Sequence, residues 1–374
     1  MYLETIAVYI IFFYLGFLIY ENYRNNMALK KIPLIIHVNG IRGKSAVSRL
    51  LDAGLRGSGV RVATKITGTV PVYIDTQGTE HRIRRLGRTT IREQLRVIKR
   101  AAGEKPDILI MECMAIDPKL QIILQERIVK SSISIITNVR RDHLREMGPE
   151  LRDVARSLGG VTPKNGTLIV GEDSFRDIFE EICKGRNSEL LLAGEKTEGM
   201  TIDFPENISV ALEVCRHLKV DKDRFIQGIK NNYREDLGKF KLFKLKNKKE
   251  NQLVADGLAV NDVDSIERIY SMLKNKNKNI SVLINNRVDR MERALEMIQW
   301  AKGNNIKKVI LTGENLFALK RRMLGSFDEI IIEERADRII GHMESKETLF
   351  MVGNIKGMGE EIINTLQREG ERVG

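Results

Sequence analysis

The chain contains few of the residues on which several classes of protein depend. Its 374 residues include only 3 cysteines, 7 prolines and 1 tryptophan, and aromatic residues make up 6%. The cysteines lie far apart, at Cys113, Cys183 and Cys215, which excludes a disulfide framework and a structural zinc site. The low proline content and the 42% hydrophobic residues exclude a collagen-like or wholly disordered chain. These absences predict a folded protein in a reducing compartment.

Acidic residues are also fewer than basic residues. Lys and Arg number 62 against 50 Asp and Glu, which gives a net charge of +12 and a surface that attracts anions. Nucleic acid, an anionic membrane face, nucleotides and an acidic substrate are the candidate ligands. Binding of single-stranded nucleic acid uses basic and aromatic residues interleaved on one face, and the aromatic content is too low for such a platform. The sequence therefore predicts no nucleic-acid partner.

An apolar stretch opens the chain. Glu4 is the only charged residue before Glu21, and about 20 helical residues cover about 30 Å, the thickness of a hydrocarbon core. A cleaved signal peptide would need positive charge before this stretch and a cleavage site after it, and neither is present. A buried helix at a domain edge is the other alternative. We predict a transmembrane anchor and flank in residues 1–30, with the catalytic domains in the cytoplasm because the basic residues follow the stretch.

Short β-branched runs alternate with amphipathic stretches in the rest of the chain. PLIIHV at 33–38 is typical of a buried strand, and the amphipathic stretch at 44–59 predicts the helix that follows it. The alternation breaks at a polar, basic segment, 233–249, and then resumes. Such a pattern indicates βαβ units and a parallel sheet. We expect an α/β protein with a central ATP-binding domain, 31–237, and a smaller Rossmann-like domain, 238–374.

A phosphate-binding loop follows the first of these strands. The sequence NGIRGKS, from Asn39 to Ser45, lies between the strand and a helix. Glycines let the backbone fold around phosphate oxygens, the helix N-terminus offers free N–H groups, Lys44 would neutralise phosphate and Ser45 would bind Mg²⁺. A glycine-rich turn that only caps the helix is the alternative, and the Lys-Ser pair argues against it. The loop predicts ATP and Mg²⁺ as cofactors.

Acidic and imidazole side chains follow two later strands. Glu112 ends the strand ILIMEC, and the pair Asp142-His143 comes soon after the strand ISIITN. Ligands of α/β sheets bind at the carboxyl edge, so both positions should lie near the phosphate loop. Separately, each is weak, because a strand-end glutamate is often only solvated and an Asp-His pair often caps a helix. Together with Ser45 they predict a divalent-metal site for phosphoryl transfer.

These motifs resemble those of a known superfamily. TNVRRDHLREMG and NGIRGKS are similar to the signature and short phosphate loop of the Mur ligase superfamily of ATP-dependent amide ligases. Within it, the chain looks most like the ligase subunit of poly-γ-glutamate synthase, the CapB/PgsB family. The segments that carry the likeness lie in the same order along nearly the whole chain: VNGIRGKSAVSRLLDAGLRGSGVRVATKITGT, ECMAIDPKLQIILQERIV, DHLREMGP, ADGLAVND, NNRVDRMER and VGNIKGMGE.

The resemblance implies roles for individual residues. The nucleotide-binding positions that it implies are Asn39, Gly40, Gly43, Lys44, Ser45, Asn207, Lys239, Asp256 and Asn261. The implied Mg²⁺ ligands are Ser45, Glu112 and His143, and the implied catalytic set is Lys44, Glu112, His143 and Lys239. We assign substrate binding to Thr69, Arg287, Arg290 and Asn354, with a surface salt bridge as the alternative for the arginines and a plain helix start for Asn354. Three positions depart from the superfamily pattern: Leu158, Val210 and Leu258.

The implied chemistry is activation of a carboxylate. The acceptor carboxylate attacks the γ-phosphate of ATP, and the amine of an incoming amino acid then displaces phosphate to form an amide. The implied partners are glutamate, a growing poly-γ-glutamate chain and small membrane subunits of a synthesis and export complex, and the ligase could form a homo-oligomer. A folylpolyglutamate synthase of the same superfamily is the alternative enzyme. A basic P-loop ATPase that acts as a nucleic-acid-binding switch is the alternative from another class.

Overall fold

The chain folds into two compact units. The computed structural model describes residues 2–68, 71–85, 90–194, 202–234, 240–245, 252–260, 263–277, 279–355 and 357–373. Contacts divide the chain into unit 1, Met1–Asp236, and unit 2, Leu237–Gly374. Both are α/β layers built on a mostly parallel sheet, as the alternating sequence pattern predicts.

The described part of unit 1 contains an eight-stranded sheet. Its strands are β1 Leu34–Asn39, β2 Val62–Ile66, β3 Val72–Ile74, β4 Glu80–Arg82, β5 Ile108–Glu112, β6 Ile133–Ile136, β7 Thr167–Val170 and β8 Glu189–Leu192. Their order across the sheet is β4-β3-β2-β5-β1-β6-β7-β8. All neighbours pair in parallel except β2 with β3 and β3 with β4, which are antiparallel. The predicted parallel sheet is therefore confirmed and carries an antiparallel edge in addition.

Helices cover both faces of this sheet. They are α1 Tyr2–Leu29, α2 Lys44–Gly57, α3 Glu93–Glu104, α4 Pro118–Ile123, α5 Leu144–Met147, α6 Leu151–Leu158, α7 Arg176–Arg186, α8 Pro205–His217 and α9 Lys222–Asn232. A π-helical turn, Leu124–Val129, continues α4. One apolar core lies on each face, and α2 and α9 approach so closely that a Cβ on Gly57 would come within 2.2 Å of the Gly228 Cα. The helix after the phosphate loop is thereby held firmly against its neighbour.

Unit 2 repeats this design on a smaller scale. Its strands are β9 Lys241–Leu245, β10 Leu253–Gly257, β11 Ile280–Asn286, β12 Lys308–Gly313, β13 Glu329–Ile332, β14 Thr348–Gly353 and β15 Gly370–Arg372. Its helices are α10 Val263–Lys276, α11 Met291–Gly303, α12 Leu316–Met323, α13 Ala336–Ile339 and α14 Met358–Glu369. The strand order is β13-β12-β11-β14-β10-β9-β15, with β9 and β15 antiparallel to their neighbours. Helices α11 and α14 pack on opposite faces, which makes the carboxyl ends of the neighbouring strands β11 and β14 a point where ligands commonly bind.

Helix α1 is attached to unit 1 by its last turns. Asn25 Nδ2 donates to the Ile128 carbonyl at 2.9 Å, and Lys130 Nζ donates to Asn26 Oδ1 at 2.8 Å. The preceding turns expose most of their large apolar side chains: Ile6, Val8, Tyr9, Ile10, Ile11, Phe12, Phe13, Tyr14, Leu15, Phe17, Leu18, Ile19 and Tyr20. The helix therefore has a bound polar half and an exposed apolar half.

The transmembrane anchor predicted in residues 1–30 is not supported. Among the residues that the structure describes, no helix combines the length and the apolar character that crossing a membrane requires. The physical reason lies in the apolar run of α1, which ends before Glu21. About 15 residues at about 1.5 Å per residue cover about 22 Å, short of the roughly 30 Å of a hydrocarbon core.

Candidate active site

The central strands of unit 1 bring three sequence motifs to one edge. Strands β5, β1 and β6 are adjacent and parallel, so their carboxyl ends meet. The phosphate loop follows β1, Glu112 ends β5, and the segment Thr137-Asn138 follows β6. Residues that are up to about 100 positions apart in sequence are therefore neighbours at the edge where α/β sheets bind ligands.

The phosphate loop is held by hydrogen bonds from the segment after β6. The Arg42 N–H donates to Asn138 Oδ1 at 3.0 Å, and Thr137 Oγ1 donates to the Arg42 carbonyl at 2.5 Å. Lys44 folds back over the loop, where its Nζ donates to the Gly40 and Ile41 carbonyls at 2.6 and 3.2 Å. Burial lowers the pKa of Lys44, while nearby Glu112 acts in the opposite direction. The side-chain amine of Lys44 thus lies inside a loop of backbone dipoles, as a phosphate site requires.

Two glycines let other segments approach this loop. Gly40 has φ +129° and a Cβ there would lie 2.1 Å from Thr137 Oγ1, while Gly43 has φ +78° and a Cβ would lie 2.3 Å from Asn207 Oδ1. Asn207, on α8, is thereby in contact with the loop, and its Nδ2 donates to Asp203 Oδ1 at 2.7 Å. Asn39 instead is buried, and its Nδ2 donates to Gln121 Oε1 at 2.7 Å. Of these two predicted asparagines, Asn207 therefore contacts the loop, whereas the side chain of Asn39 contacts α4.

Substitution of Gly40 by alanine should disable this loop. The new methyl group would collide with Thr137, and the left-handed φ adds backbone strain, so we expect nucleotide affinity to fall by roughly tenfold or more. Gly59→Ala is the matched control, because Gly59 has φ +86° and a Cβ there would meet nothing within 4 Å. Calorimetric titration with an ATP analogue measures both variants. Equal losses of affinity would show that backbone strain, rather than the contact with Thr137, is responsible.

A carboxylate and a hydroxyl meet beside the loop. Ser45 Oγ donates to Glu112 Oε2 at 3.0 Å, and the Thr67 N–H donates to the same oxygen at 2.9 Å. Glu112 is only 2% exposed, and its position at the end of β5 fixes its backbone. Hydroxyl and carboxylate oxygens are the ligands that Mg²⁺ prefers, and such a site commonly includes phosphate oxygens and waters. Thr67 could not be predicted from the sequence, because a backbone donor has no side-chain signature.

His143 lies near the same loop through its neighbour Asp142. Asp142 Oδ2 accepts from Arg42 Nη2 at 3.1 Å and lies 3.8 Å from His143 Nε2. His143 has φ +53° and precedes the short helix α5, so the imidazole follows a sharp turn. In the described parts of the chain, no three His, Cys, Asp or Glu side chains form a group that could hold a metal ion by themselves. The predicted ligand set contains two such side chains and a hydroxyl, so it would need phosphate or water ligands as well.

The carboxyl edge of the unit 2 sheet carries a buried carboxylate. Asp256, near the end of β10, is 4% exposed, and its Oδ1 accepts from the Leu258 N–H at 3.2 Å. Burial raises the pKa of Asp256 to about 6, although the Leu258 N–H and the charge of Lys241 act in the opposite direction. An acid with this pKa changes its charge close to neutral pH, as groups in functional sites often do.

Asp256→Asn should change how stability depends on pH. Because the folded pKa lies above the usual aspartate value of 3.8, the folded state holds the proton more tightly between pH 3.8 and about 6. Stability therefore falls as pH rises through this window, by at most roughly 3 kcal/mol for this group. Asparagine keeps the acceptor for Leu258 without a charge. We expect the variant to be more stable than wild type at pH 8 and equally stable at pH 4. Urea unfolding at both pH values measures this. The same difference in stability between variant and wild type at both pH values would refute the prediction.

Asparagines lie at the carboxyl ends of the neighbouring strands β11 and β14. Asn285 Nδ2 donates to the Asn354 carbonyl at 2.5 Å, and the buried Oδ1 atoms of Asn285 and Asn286 have no hydrogen-bond partner in the described structure. Arg287 follows β11 directly, Arg290 ends the short turn Val288–Arg290, and both are half-buried. The structure therefore brings the three described substrate-binding candidates of the sequence analysis to one edge of unit 2.

Three other predicted site residues, Thr69, Lys239 and Asn261, lie outside the described residues. The three departures from the superfamily pattern all belong to the apolar cores: Leu158 and Leu258 are 0% exposed and Val210 is 1% exposed. Their side chains therefore contribute to packing and offer no polar group to a ligand.

The known proteins that this chain resembles in sequence are CapB proteins. Residues 242–369 match the family described as Poly-gamma-glutamate synthase CapB C-terminal domain. The capsule biosynthesis protein CapB of Bacillus anthracis is 29% identical over 378 residues, which cover 94% of this chain and 80% of that protein. The PGA synthase CapB of Bacillus subtilis is 28% identical over 371 residues, covering 93% and 94%. The chain is therefore similar to CapB proteins over nearly its whole length. The likeness to CapB proteins thus includes both units and the motifs around the phosphate loop.

Solved structures show the same fold for this chain. FolC of E. coli in complex with ADP has a TM-score of 0.72 at 16% identity and covers 93% of both chains. A bifunctional folylpolyglutamate synthase/dihydrofolate synthase with Mn, AMPPNP and L-glutamate bound has a TM-score of 0.70 at 14% identity and covers 92% of both. Both of these structures contain an adenine nucleotide, and the second also contains a divalent metal. The identities are too low to transfer a substrate.

Proposed function

We propose that this protein is a member of the CapB family and an ATP-dependent ligase that joins glutamate residues through γ-amide bonds. The observation that carries the proposal is the contact of Ser45 and Glu112 beside a lysine-containing phosphate loop, in a chain that aligns with poly-γ-glutamate synthases over more than nine-tenths of its length. The reaction consumes ATP to convert a carboxylate into an acyl phosphate. Attack of an amine on that acyl group forms the amide and releases phosphate.

The residues of unit 1 fit the phosphates of ATP and a divalent cation. The glycines of the loop leave room that a Cβ would fill, and the oxygens of Ser45 and Glu112 are 3.0 Å apart. Lys44 would exchange its bonds to the loop carbonyls for bonds to phosphate oxygens. A Mg²⁺ ion bound by Ser45, Glu112 and His143 would offset negative charge on the transferring phosphoryl group. Asn207 would hold the loop in position from α8.

Unit 2 would bind the amino acid and part of the nucleotide. The unpartnered amide oxygens of Asn285 and Asn286 are suited to accept hydrogen bonds from an ammonium group. Arg287 and Arg290, directly after β11, could bind the carboxylates of glutamate, and Asn354 would fix the turn after β14. We assign Asp256 to the nucleotide, together with Lys239 and Asn261. Thr69 in unit 1 is our proposed contact to the acceptor chain.

The decisive experiment measures glutamate-dependent release of ADP and phosphate by the full-length protein. Turnover that requires glutamate and Mg²⁺, with recovery of a γ-linked polymer, is the expected result. Other amino acids serve as parallel substrates, and each enantiomer of glutamate is assayed separately. ATP hydrolysis that is indifferent to all amino acids would refute the ligase proposal and favour an ATPase switch.

A folylpolyglutamate synthase-like ligase is the second candidate, and the fold shared with FolC favours it. That enzyme would extend an acceptor that carries a pterin. Tetrahydrofolate and a short γ-glutamyl peptide, assayed as alternative acceptors, distinguish the two functions. The match of residues 242–369 to the CapB C-terminal family supports the peptide acceptor.

We also propose that the exposed half of α1 associates with a membrane and with small membrane subunits, and that the assembly contains more than one copy. Phe12, Phe13 and Ile19 are 71%, 72% and 71% exposed, so their replacement by glutamate should not disturb the folded core. Loss of their apolar burial should reduce vesicle binding by roughly 100-fold or more. Flotation with vesicles measures this, and Phe317→Glu in unit 2, at a residue 77% exposed, is the control. Equal flotation of both variants would contradict the proposal.

A further inference from the structure

A buried ion cluster lies on the opposite face of the sheet from the phosphate-loop helix. Lys65, on β2, is completely buried, and its Nζ lies 2.9 Å from Glu93 Oε1. Arg85 forms a two-pronged contact with the same carboxylate, with Nε 2.6 Å from Oε2 and Nη2 2.9 Å from Oε1. Burial alone would raise the pKa of Glu93, but the bonds from Arg85 and Lys65 hold it at about 2. Glu93 is therefore ionised and bound on both oxygens.

The residue after Glu93 is bonded to the backbone of the metal-site candidate. Gln94 is completely buried on α3, and its Nε2 donates to the Glu112 carbonyl at 3.1 Å. Its Oε1 has no hydrogen-bond partner in the described structure. A buried amide that leaves half of its hydrogen-bonding capacity unused costs stability, so packing alone does not explain why it is there.

These contacts close a ring around Glu112. Lys65 is two residues before Thr67, whose N–H donates to Glu112 Oε2. Glu93 is one residue before Gln94, which bonds the Glu112 carbonyl. The pair between Lys65 and Glu93 joins these two segments directly. The segment that contains Thr67 therefore holds the carboxylate of Glu112, and α3 holds its carbonyl. The ion pair between Lys65 and Glu93 fixes these two segments relative to each other.

Stability alone is a weak reason for such a pair. Removing two charges from water costs several kcal/mol per ion, and an apolar pair of similar volume is often as stable. The cluster contacts neither the loop nor Ser45 in the contacts described above, so it is not part of the phosphate site. Its effect on that site passes through the position of Glu112, as the groups behind a metal ligand commonly act.

We propose that Glu93, bound by Lys65 and Arg85, is a positioning residue that sets the carboxylate of Glu112 for metal binding. This inference rests on the proposed function, because it takes Glu112 as a ligand of the divalent cation. It predicts that breaking the ring weakens metal binding without removing any group that touches metal or nucleotide.

The test compares metal binding with stability. In Glu93→Gln and in Lys65→Met/Glu93→Gln, we expect the Mn²⁺ concentration for half-saturation, measured by electron paramagnetic resonance with AMPPNP, to rise by roughly tenfold. The double variant also removes the ammonium that would be left buried without its carboxylate, so it should melt near the wild-type temperature. Glu80→Gln is the matched control. It breaks the ion pair of Glu80 with Arg49, whose side chains are 2.6 Å apart and of which the arginine is 5% exposed. This variant should leave Mn²⁺ binding unchanged.

Unchanged Mn²⁺ binding in a folded variant of Glu93 would overturn the proposal. If neither variant folds, Gln94→Met removes the hydrogen bond to the Glu112 carbonyl, which is another contact of the ring. The same Mn²⁺ measurement on this variant then decides the question. Because the readout needs no turnover, it is independent of the substrate. A tenfold shift in a protein that hydrolyses ATP without regard to glutamate would support the positioning role and refute the ligase function.

Discussion

Replacement of Lys44 by methionine should reduce ADP release by roughly 1,000-fold. The ammonium group would neutralise charge on the transferring phosphoryl group, and methionine supplies similar length with no charge. Because burial already lowers the pKa of Lys44, removing this cation should not weaken the fold. The variant should therefore lose turnover while its melting temperature stays within a few degrees of wild type. Steady-state release of ADP and thermal unfolding, on the same preparation, measure the two effects.

The control for this variant is another lysine of unit 1. Lys119 lies on α4 with its side chain exposed, so Lys119→Met makes the same chemical change away from the loop. Its turnover should equal that of wild type. Retention of more than a tenth of the activity in Lys44→Met would show that the loop does not act on the phosphoryl group.

Glu112→Gln should lower turnover by roughly 100-fold or more and raise the Mg²⁺ concentration for half-maximal activity. Glutamine keeps an oxygen that can accept from Ser45 and Thr67, so the geometry is retained and the negative charge is lost. A high concentration of Mg²⁺ or Mn²⁺ should restore part of the activity, since the effect is on metal affinity. Titration of turnover with each metal measures this rescue.

Glu213 provides the comparison for this variant. It is a second buried carboxylate of unit 1, 5% exposed, and it pairs with Arg216 on the same helix, α8. Glu213→Gln should change stability but not the metal dependence of turnover. A loss of turnover in Glu112→Gln that no metal concentration relieves would contradict the assigned role.

The sequence predicted the parts of the fold that local patterns encode. The β-branched runs marked β1, β5 and β6, and the NGIRGKS motif marked the loop between β1 and α2. Strand β9 was missed because its lysines made KLFKL look like part of a basic linker. Its apolar side chains Leu242, Phe243 and Leu245 are nevertheless buried, and β9 pairs antiparallel with β10. The basic composition of this segment concealed the apolar residues that its pairing with β10 buries.

The site was predicted less completely than the fold. Glu112 and Ser45 were named from strand ends and motif spacing, and the structure brings them together. The contacts that hold Glu112 in place were not predictable, because they come from a backbone N–H at Thr67 and from residues about 20 positions away on α3. The apolar opening of the chain was interpreted as a membrane span, yet no helix among the described residues is long and apolar enough to be one.

The continuous helix α1 has a mechanical consequence. Its final turns are bonded to unit 1, and only residues 30–33 separate it from β1, the strand that leads into the phosphate loop. A flexible tether would let the domain drift and rotate freely about its point of attachment. A stiff rod of about 40 Å does not, given about 1.5 Å per residue over 28 residues. A partner bound to the exposed end of α1 would therefore fix the orientation of unit 1.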